Sequence, residues 1–247
     1  MESLLSRRVV GDWAKAYRDR PLQMLDVGCG KGLFLRDFAA GLRQRWGVRN
    51  IQAAGVDLVR SPGDHFKEID DDFRFVQQNL DGQPLPFPDG SFDFLSCNQV
   101  LEHIFETEKL VREFRRVLRS EGLCIISVPN TAAWMNRIAF LVGGQPLGTE
   151  VGTESVTYGF WPSFMKERLK RFSPSGHIRD FTPRSLRDLT SACGFKPVGW
   201  WGQHGGLLAS LNPKLVRDLG ILLEPADKKP WHPAARRSLS SERTGCE

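Results

Sequence analysis

Residues 23–46 read QMLDVGCGKGLFLRDFAAGLRQRW. An apolar run closes at Asp26, Gly28, Gly30 and Gly32 follow at every second position, and then Phe34, Phe38 and Leu42 recur at helical spacing with Leu35 and Ala39 beside them. The pattern predicts a buried strand, a tight glycine turn and a helix folded back on the strand. An ATP phosphate loop would need G-x-x-x-x-G-K-[ST], which does not occur here. A dinucleotide turn would need G-x-G-x-x-G, and the sixth position is Leu33. A carboxylate at Asp26 repels a pyrophosphate and attracts an ammonium group. The turn therefore suits a ligand with an amino-acid end, its own carboxylate facing the helix N-terminus.

Working outward, NIQAAGVDL reads as a second strand ending at Asp57, FRFVQQNLD as a third ending at Asp81, and FDFLSCNQ as a fourth after the Pro/Gly loop QPLPFPDGS. Leu110, Val111, Phe114, Val117 and Leu118 form one helical stripe, with Gly122 expected as its C-terminal cap. LCIISVPN is a fifth strand. In FTPRSLRDLTSACGF, Thr182 is expected to cap a helix, Pro183 to start it and Gly194 to end it. KPVGWWG and LGILLEP read as two closing strands. Alternating strands and helices predict an α/β fold, a mostly parallel sheet with helices on both faces.

A chain of 247 residues, 40% hydrophobic and 26% charged, has the composition of an ordinary globular protein. Residues 1–226 are expected to form a single domain, and 227–247 a flexible basic tail around Lys228, Lys229, Arg236 and Arg237. Five scattered cysteines, with no zinc-like spacing, do not form a disulfide framework. No run is long enough to span a bilayer and no signal peptide is evident, so the expected location is cytoplasmic. The net charge of +5 comes without interleaved aromatic and basic residues, and no nucleic-acid partner is expected.

Taken together, LDVGCGKG, GVDL, DGQPLPFPDGSFDFLSCNQVLEHI, FRRVLRSEGLCIISVPN and HIRDFTPRSLRDLTSACGF resemble the class I S-adenosylmethionine-dependent methyltransferases, over about Leu22 to Val198. The resemblance extends to small-molecule, polysaccharide-cluster and ubiquinone-pathway members. It implies a Rossmann-like, seven-stranded sheet and S-adenosylmethionine as cofactor. By the same resemblance, Gly28, Gly30 and Gly32 would admit the methionine part, with Asp26 near its ammonium. Asp57 would accept from the ribose hydroxyls, Leu58 would pack on the adenine, and Asp81 and Gly82 would hold its edge. Asn98 would face the sulfonium.

In LEHI, His103 is the candidate base for the acceptor, because an imidazole titrates near neutrality. The ubiquinone-pathway O-methyltransferases carry an acidic residue three before this glutamate and use the group with a divalent metal. That position is Gln99 here, so no metal is expected. Residues 131–180, irregular and rich in Gly, Pro and aromatics, are expected to cover the acceptor. Glu102, Asn130, Trp134, Arg137, Tyr158 and His177 are candidate acceptor contacts, with Asn136 and Trp161 as further wall residues. Seven basic residues between Lys166 and Arg187 are consistent with an anionic acceptor. A hydroxyl of a sugar or glycan precursor is the favoured acceptor. Nitrogen or carbon methylation, or a non-catalytic cofactor-binding partner protein, are the alternatives.

Overall fold

The computed structural model describes residues 4–58, 64–70, 72–160, 162–203 and 211–227. Trp161 and the tail from residue 228 lie outside the described residues.

Seven strands form one sheet: β1 (Leu22–Val27), β2 (Ile51–Asp57), β3 (Arg74–Gln77), β4 (Phe92–Asn98), β5 (Leu118–Pro129), β6 (Phe195–Gln203) and β7 (Asp218–Pro225), in the order β3-β2-β1-β4-β5-β7-β6. Neighbours from β3 to β5 pair in parallel. The strand β7 inserts between β5 and β6 and runs antiparallel to both. The chain reverses its direction of winding between β1 and β4. The crevice at the carboxyl ends of those strands is where open sheets of this kind take ligands.

Alternation along each strand loads both faces. From β1, Leu25 and Val27 join one core with Leu110, Val111, Phe114 and Leu186, whereas Leu22 and Met24 join another with Trp13, Ala14, Leu35 and Leu42. The helices supplying these residues are α1 (Leu4–Ala14) and α2 (Leu33–Trp46) on one face, and α3 (Thr107–Val117) and α6 (Pro183–Ala192) on the other. Each large apolar side chain so buried contributes about 1.5–3 kcal/mol. Asp93, buried within β4, is met by Tyr17 Oη, the Gln23 N–H and the Arg119 guanidinium, the last at 2.6 Å. A buried charge needs such compensation.

Two boundaries differ from the sequence reading. The helix α3 stops at Val117, and Leu118 is already extended and paired with Phe92, so Gly122 lies within β5 and caps nothing. A Cβ at Gly122 would lie 2.6 Å from Leu118 Cγ, so packing of its own strand explains the glycine. The strand β3 ends at Gln77, leaving Asp81 in the following loop instead of at a strand end. The helix α6 forms as expected: Thr182 Oγ1 accepts from the Ser185 N–H and Gly194 follows at φ +88°. The stretch 131–180 is mostly irregular, with two further helices, α4 (Trp134–Leu141) and the single-turn α5 (Lys166–Leu169).

Candidate active site

The glycine turn joins β1 to α2, and its three glycines are there for different reasons. Gly28 has φ +72°, and a Cβ on it would lie 2.2 Å from Val100 Cγ2. The position is set by packing against the turn after β4. Gly30 has φ +47° with nothing within 4 Å of a Cβ, so the backbone faces open space at the carboxyl end of the sheet. Gly32, at φ +76°, is the left-handed entry to α2.

Asp26 is 3% exposed, and its Oδ1 accepts from Ser96 Oγ at 2.7 Å. Burial pushes its carboxyl up to about 7, only partly offset by the Ser96 hydroxyl, with the neighbouring Asp57 charge adding to the rise. An ammonium group reaching this carboxylate would supply the missing counter-charge. Asp57, the last residue of β2, accepts the Gly30 N–H at 2.7 Å and so fixes the turn against the second strand. Leu58 beside it is 66% exposed. Asn98 ends β4; its Oδ1 accepts from Ser127 Oγ, and its buried Nδ2 has no hydrogen-bond partner. An unpartnered buried donor, open space at Gly30 and a desolvated carboxylate fit the polar, cationic end of an amino-acid-bearing ligand.

Asp81 is used differently. Its two oxygens accept the Phe105 and Glu106 N–H groups at 3.2 and 2.9 Å, immediately before α3, so it anchors that helix entry. Gly82 follows at φ +73°, with Glu106 Oε2 3.1 Å from where a Cβ would be.

Past β4 the chain bends sharply. Gln99 takes φ +54°, the one positive value at a non-glycine among the described residues. The 3-10 turn Leu101–His103 follows, and residues 176–179 lie along it. Ile178 and Arg179 N–H both donate to the Glu102 carbonyl, His103 Nδ1 is 3.2 Å from the Gly176 carbonyl, and Arg179 Nη2 donates to the Phe105 carbonyl. Together they enclose a cavity of about 340 Å³ lined by Gln99, Glu102, His103, Glu150, His177 and Asp218, among others. Another cavity, of about 290 Å³ between Gln52, Asp70, Arg74 and Phe92, opens at the amino ends of the strands, far from this chemistry.

Glu102 is 1% exposed and neither carboxylate oxygen has a hydrogen-bond partner. Burial pushes it up to about 7. The rings of His103 and His177 are 5.0 Å apart. His177 Nδ1 lies 2.8 Å from the Gly148 carbonyl. A carbonyl can only accept, so Nδ1 of each histidine is the donor there, which in the neutral imidazole leaves the lone pair on Nε2. Glu150 holds the segment from behind: its oxygens accept the N–H groups of Ser175, Gly176 and His177. Partial burial would raise its carboxyl, but those three donors keep it below the ordinary value.

Of the expected acceptor contacts, the structure brings Glu102, His103 and His177 to this cavity. The others are placed elsewhere. Asn130 is buried, its amide donating to the Lys214 and Val216 carbonyls and accepting from Ala132 N–H, so it braces a loop. Asn136 is likewise spent on Leu147 and the Asn130 carbonyl. Trp134 and Tyr158 are 46% and 47% exposed, Arg137 donates to the Ala132 carbonyl, and none of the three lines the cavity. Glu150 and Asp218 also line the cavity, and nothing local in the sequence ties them to the LEH turn; Gln99, which the sequence marks only as the place of a missing carboxylate, lines it as well.

A family model described as a methyltransferase domain matches residues 25–126, from the glycine turn through most of β5. A probable S-adenosylmethionine-dependent methyltransferase of Mycolicibacterium smegmatis is 30% identical over 235 residues, covering 93% of this chain and 74% of that protein. The chain belongs to the S-adenosylmethionine-dependent methyltransferases. A probable methyltransferase of the same kind from Mycobacterium tuberculosis is 34% identical over 107 residues, 43% of this chain. That alignment spans about a third, 35%, of the relative's length. Among solved structures, the trans-methyltransferase CalH with S-adenosylhomocysteine aligns at a TM-score of 0.57 and 16% identity, over 90% of this chain and 56% of that one, which shows the shared methyltransferase fold. Among the described residues no helix is long and apolar enough to cross a membrane.

Proposed function

We propose that this methyltransferase moves a methyl group to a hydroxyl of a small polar acceptor, most simply a sugar or glycan precursor, bound beneath residues 131–180. S-adenosylmethionine supplies a methyl group already activated on a sulfonium, which needs no acid to leave. The chain's own task is to hold two partners in line and to manage the acceptor's proton. On this reading Asp26, Gly30, Asp57, Leu58 and Asn98 hold the donor, Gly28 and Gly32 shape the turn that presents Gly30 to it, and Asp81 and Gly82 shape the adenine end by fixing the entry to α3.

The observation that carries the hydroxyl reading is the convergence of Glu102 and the two histidines at the cavity. A neutral amine attacks through its lone pair and needs no base beforehand. A hydroxyl must lose its proton as the new bond forms, and imidazoles with bare Nε2 atoms are suited to take it. Lys166 and Arg168, in α5, support an anionic acceptor; Lys170 is instead paired with Glu167, Arg171 lies over the Phe172 ring and Arg179 donates to the Phe105 carbonyl.

The test is incubation of sugar-nucleotide and glycan-precursor extracts with isotopically methyl-labelled S-adenosylmethionine, followed by mass spectrometry. Label in an acid-stable methyl ether is expected. Label confined to nitrogen or carbon overturns the hydroxyl reading, and no enzyme-dependent label with intact cofactor binding overturns the enzyme in favour of a binding partner.

A further inference from the structure

Of the fourteen large hydrophobic side chains exposed among the described residues, ten lie between residues 131 and 180. Half of those ten belong to α4 and to Val142, which follows it. An ordinary surface helix turns its apolar stripe to the core; α4 does the reverse. Its buried residues are Asn136 and Ala139. The Asn136 amide docks the helix, donating to the Asn130 and Leu147 carbonyls and accepting the Leu147 N–H. Trp134, Met135, Phe140 and Leu141 are left in solvent, Leu141 at 85% exposure. The bridge between Gln145 and Phe160 then ties the chain after α4 to the segment that carries α5 and the 3-10 turn Ser163–Met165, where Phe164 is 82% exposed. Apolar surface gathered in this way marks a place where another phase or molecule attaches.

We propose that α4 and the Phe164 turn dock on an anionic lipid bilayer, the apolar side chains entering the acyl boundary and Arg137, Lys166 and Arg168 meeting the headgroups. Charge decides between lipid and a second copy of the chain. Arg137, exposed on α4, is the only charged side chain between residues 131 and 149, and α5 adds Lys166 and Arg168. A copy laid α4 against α4 brings arginine against arginine and offers no carboxylate from that stretch to meet either. Anionic headgroups meet all three cations. Shape points the same way. Side chains that stand out as far as Leu141 and Phe164 each need a fitted socket in a protein partner, whereas fluid lipid closes around them. A tryptophan with cations beside an apolar helix face belongs at the headgroup level. The helix lies on the bilayer and does not cross it. The same segment, residues 131–180, contributes Glu150 and His177 to the acceptor cavity, so docking holds that cavity at the membrane surface. The surface is independent of which acceptor atom is methylated.

The experiment is flotation of the full chain with vesicles of phosphatidylcholine alone and of phosphatidylcholine mixed with phosphatidylglycerol, at low and high salt. Partitioning into the mixed vesicles is expected, and salt should weaken it. Leu141→Asp should lower the partition coefficient more than about tenfold, and the pair Lys166→Glu and Arg168→Glu by about tenfold, while Leu141→Met should retain it. Calorimetric binding of S-adenosylmethionine by Leu141→Asp reports that the sheet remains folded. Absence of partitioning into either vesicle overturns the proposal, and so does equal partitioning of the wild type and Leu141→Asp with cofactor binding intact. Equal partitioning into neutral and anionic vesicles overturns the assignment to anionic lipid. A dimer in sedimentation velocity that Leu141→Asp dissociates, with no vesicle binding, gives the face to a second copy instead. Flotation uses no methyl acceptor, so its failure leaves the hydroxyl reading standing, and failure of that reading leaves the membrane result.

Discussion

The two walls of the active site are built by different rules. The donor side is local: Asp26, Gly28, Gly30 and Gly32 fall within seven residues, and Asp57 and Asn98 end the flanking strands β2 and β4. The acceptor side is assembled from distant pieces, with Gln99 and Glu102 from the turn after β4, Glu150 and His177 from the cover, and Asp218 from the start of β7. The donor side is fixed by sheet register, and the acceptor side by a few loop hydrogen bonds, among them the Ile178 and Arg179 N–H groups on the Glu102 carbonyl and the Glu150 carboxylate on residues 175–177. Changes on the first should therefore cost folding or cofactor binding, and changes on the second should alter acceptor use while the fold stays intact.

The largest effect is expected at Gly28. An alanine there combines a left-handed backbone, costing about 1–2 kcal/mol, with a Cβ 2.2 Å from Val100 Cγ2. Gly28→Ala should lose about 3–4 kcal/mol of stability in urea unfolding, and Val100→Ala should restore the steric share. Gly30→Ala has no clash to relieve and should lose about 1 kcal/mol while weakening cofactor binding at least tenfold. If the two glycines respond alike in both measurements, the division between a packing glycine and a ligand-facing glycine is wrong.

Asp26 gives an intermediate effect with a definite pH sign. Its folded value of about 7 lies above the ordinary 3.8, so on raising the pH the unfolded chain loses this proton first. The stability this group supplies at acid pH is lost between about pH 4 and pH 7. Asp26→Asn keeps an acceptor for Ser96 Oγ and removes the buried charge. It should therefore be more stable than the wild type at pH 8 by about 2–4 kcal/mol, with the difference vanishing near pH 3. The same variant should bind S-adenosylmethionine more weakly, since the carboxylate that burdens the empty fold is the one an ammonium stabilises. Wild-type stability that does not fall over that range places the Asp26 carboxylate in a better-solvated setting.

The same contrast explains what could be read before the fold was known. The strand–turn–helix at 22–46 was legible because hydrophobic period and glycine spacing are properties of adjacent residues, and Thr182–Pro183 announced α6 for the same reason. Gly122 misled because a glycine after an amphipathic stripe looks like a cap, whereas Arg119 bonding to Asp93 already commits the chain to β5. Asn130 and Asn136 resembled acceptor contacts because polar residues after a strand often are. That their amides are consumed by the backbone at 214–216 and 147 is a tertiary fact. Residues 102, 103 and 177 each stand out in the sequence, yet their meeting depends on the pairing of 176–179 with the LEH turn.

Glu150 tests that pairing with the smallest effect. Its carboxylate accepts three successive backbone N–H groups, from Ser175 at 2.6 Å, Gly176 at 2.8 Å and His177 at 3.2 Å. A glutamine offers one acceptor oxygen and presents an N–H2 where donors already point. Glu150→Gln should cost about 1–2 kcal/mol, taken locally from the cover and not from the sheet. The unfolding midpoint should scarcely move, proteolysis near residues 173–178 should accelerate, the acceptor KM should rise several-fold, and the calorimetric affinity for S-adenosylmethionine should be unchanged. A parallel loss of cofactor affinity would mean that the cover and the glycine turn form one cooperative unit. In that case the acceptor wall could no longer vary without disturbing the donor wall.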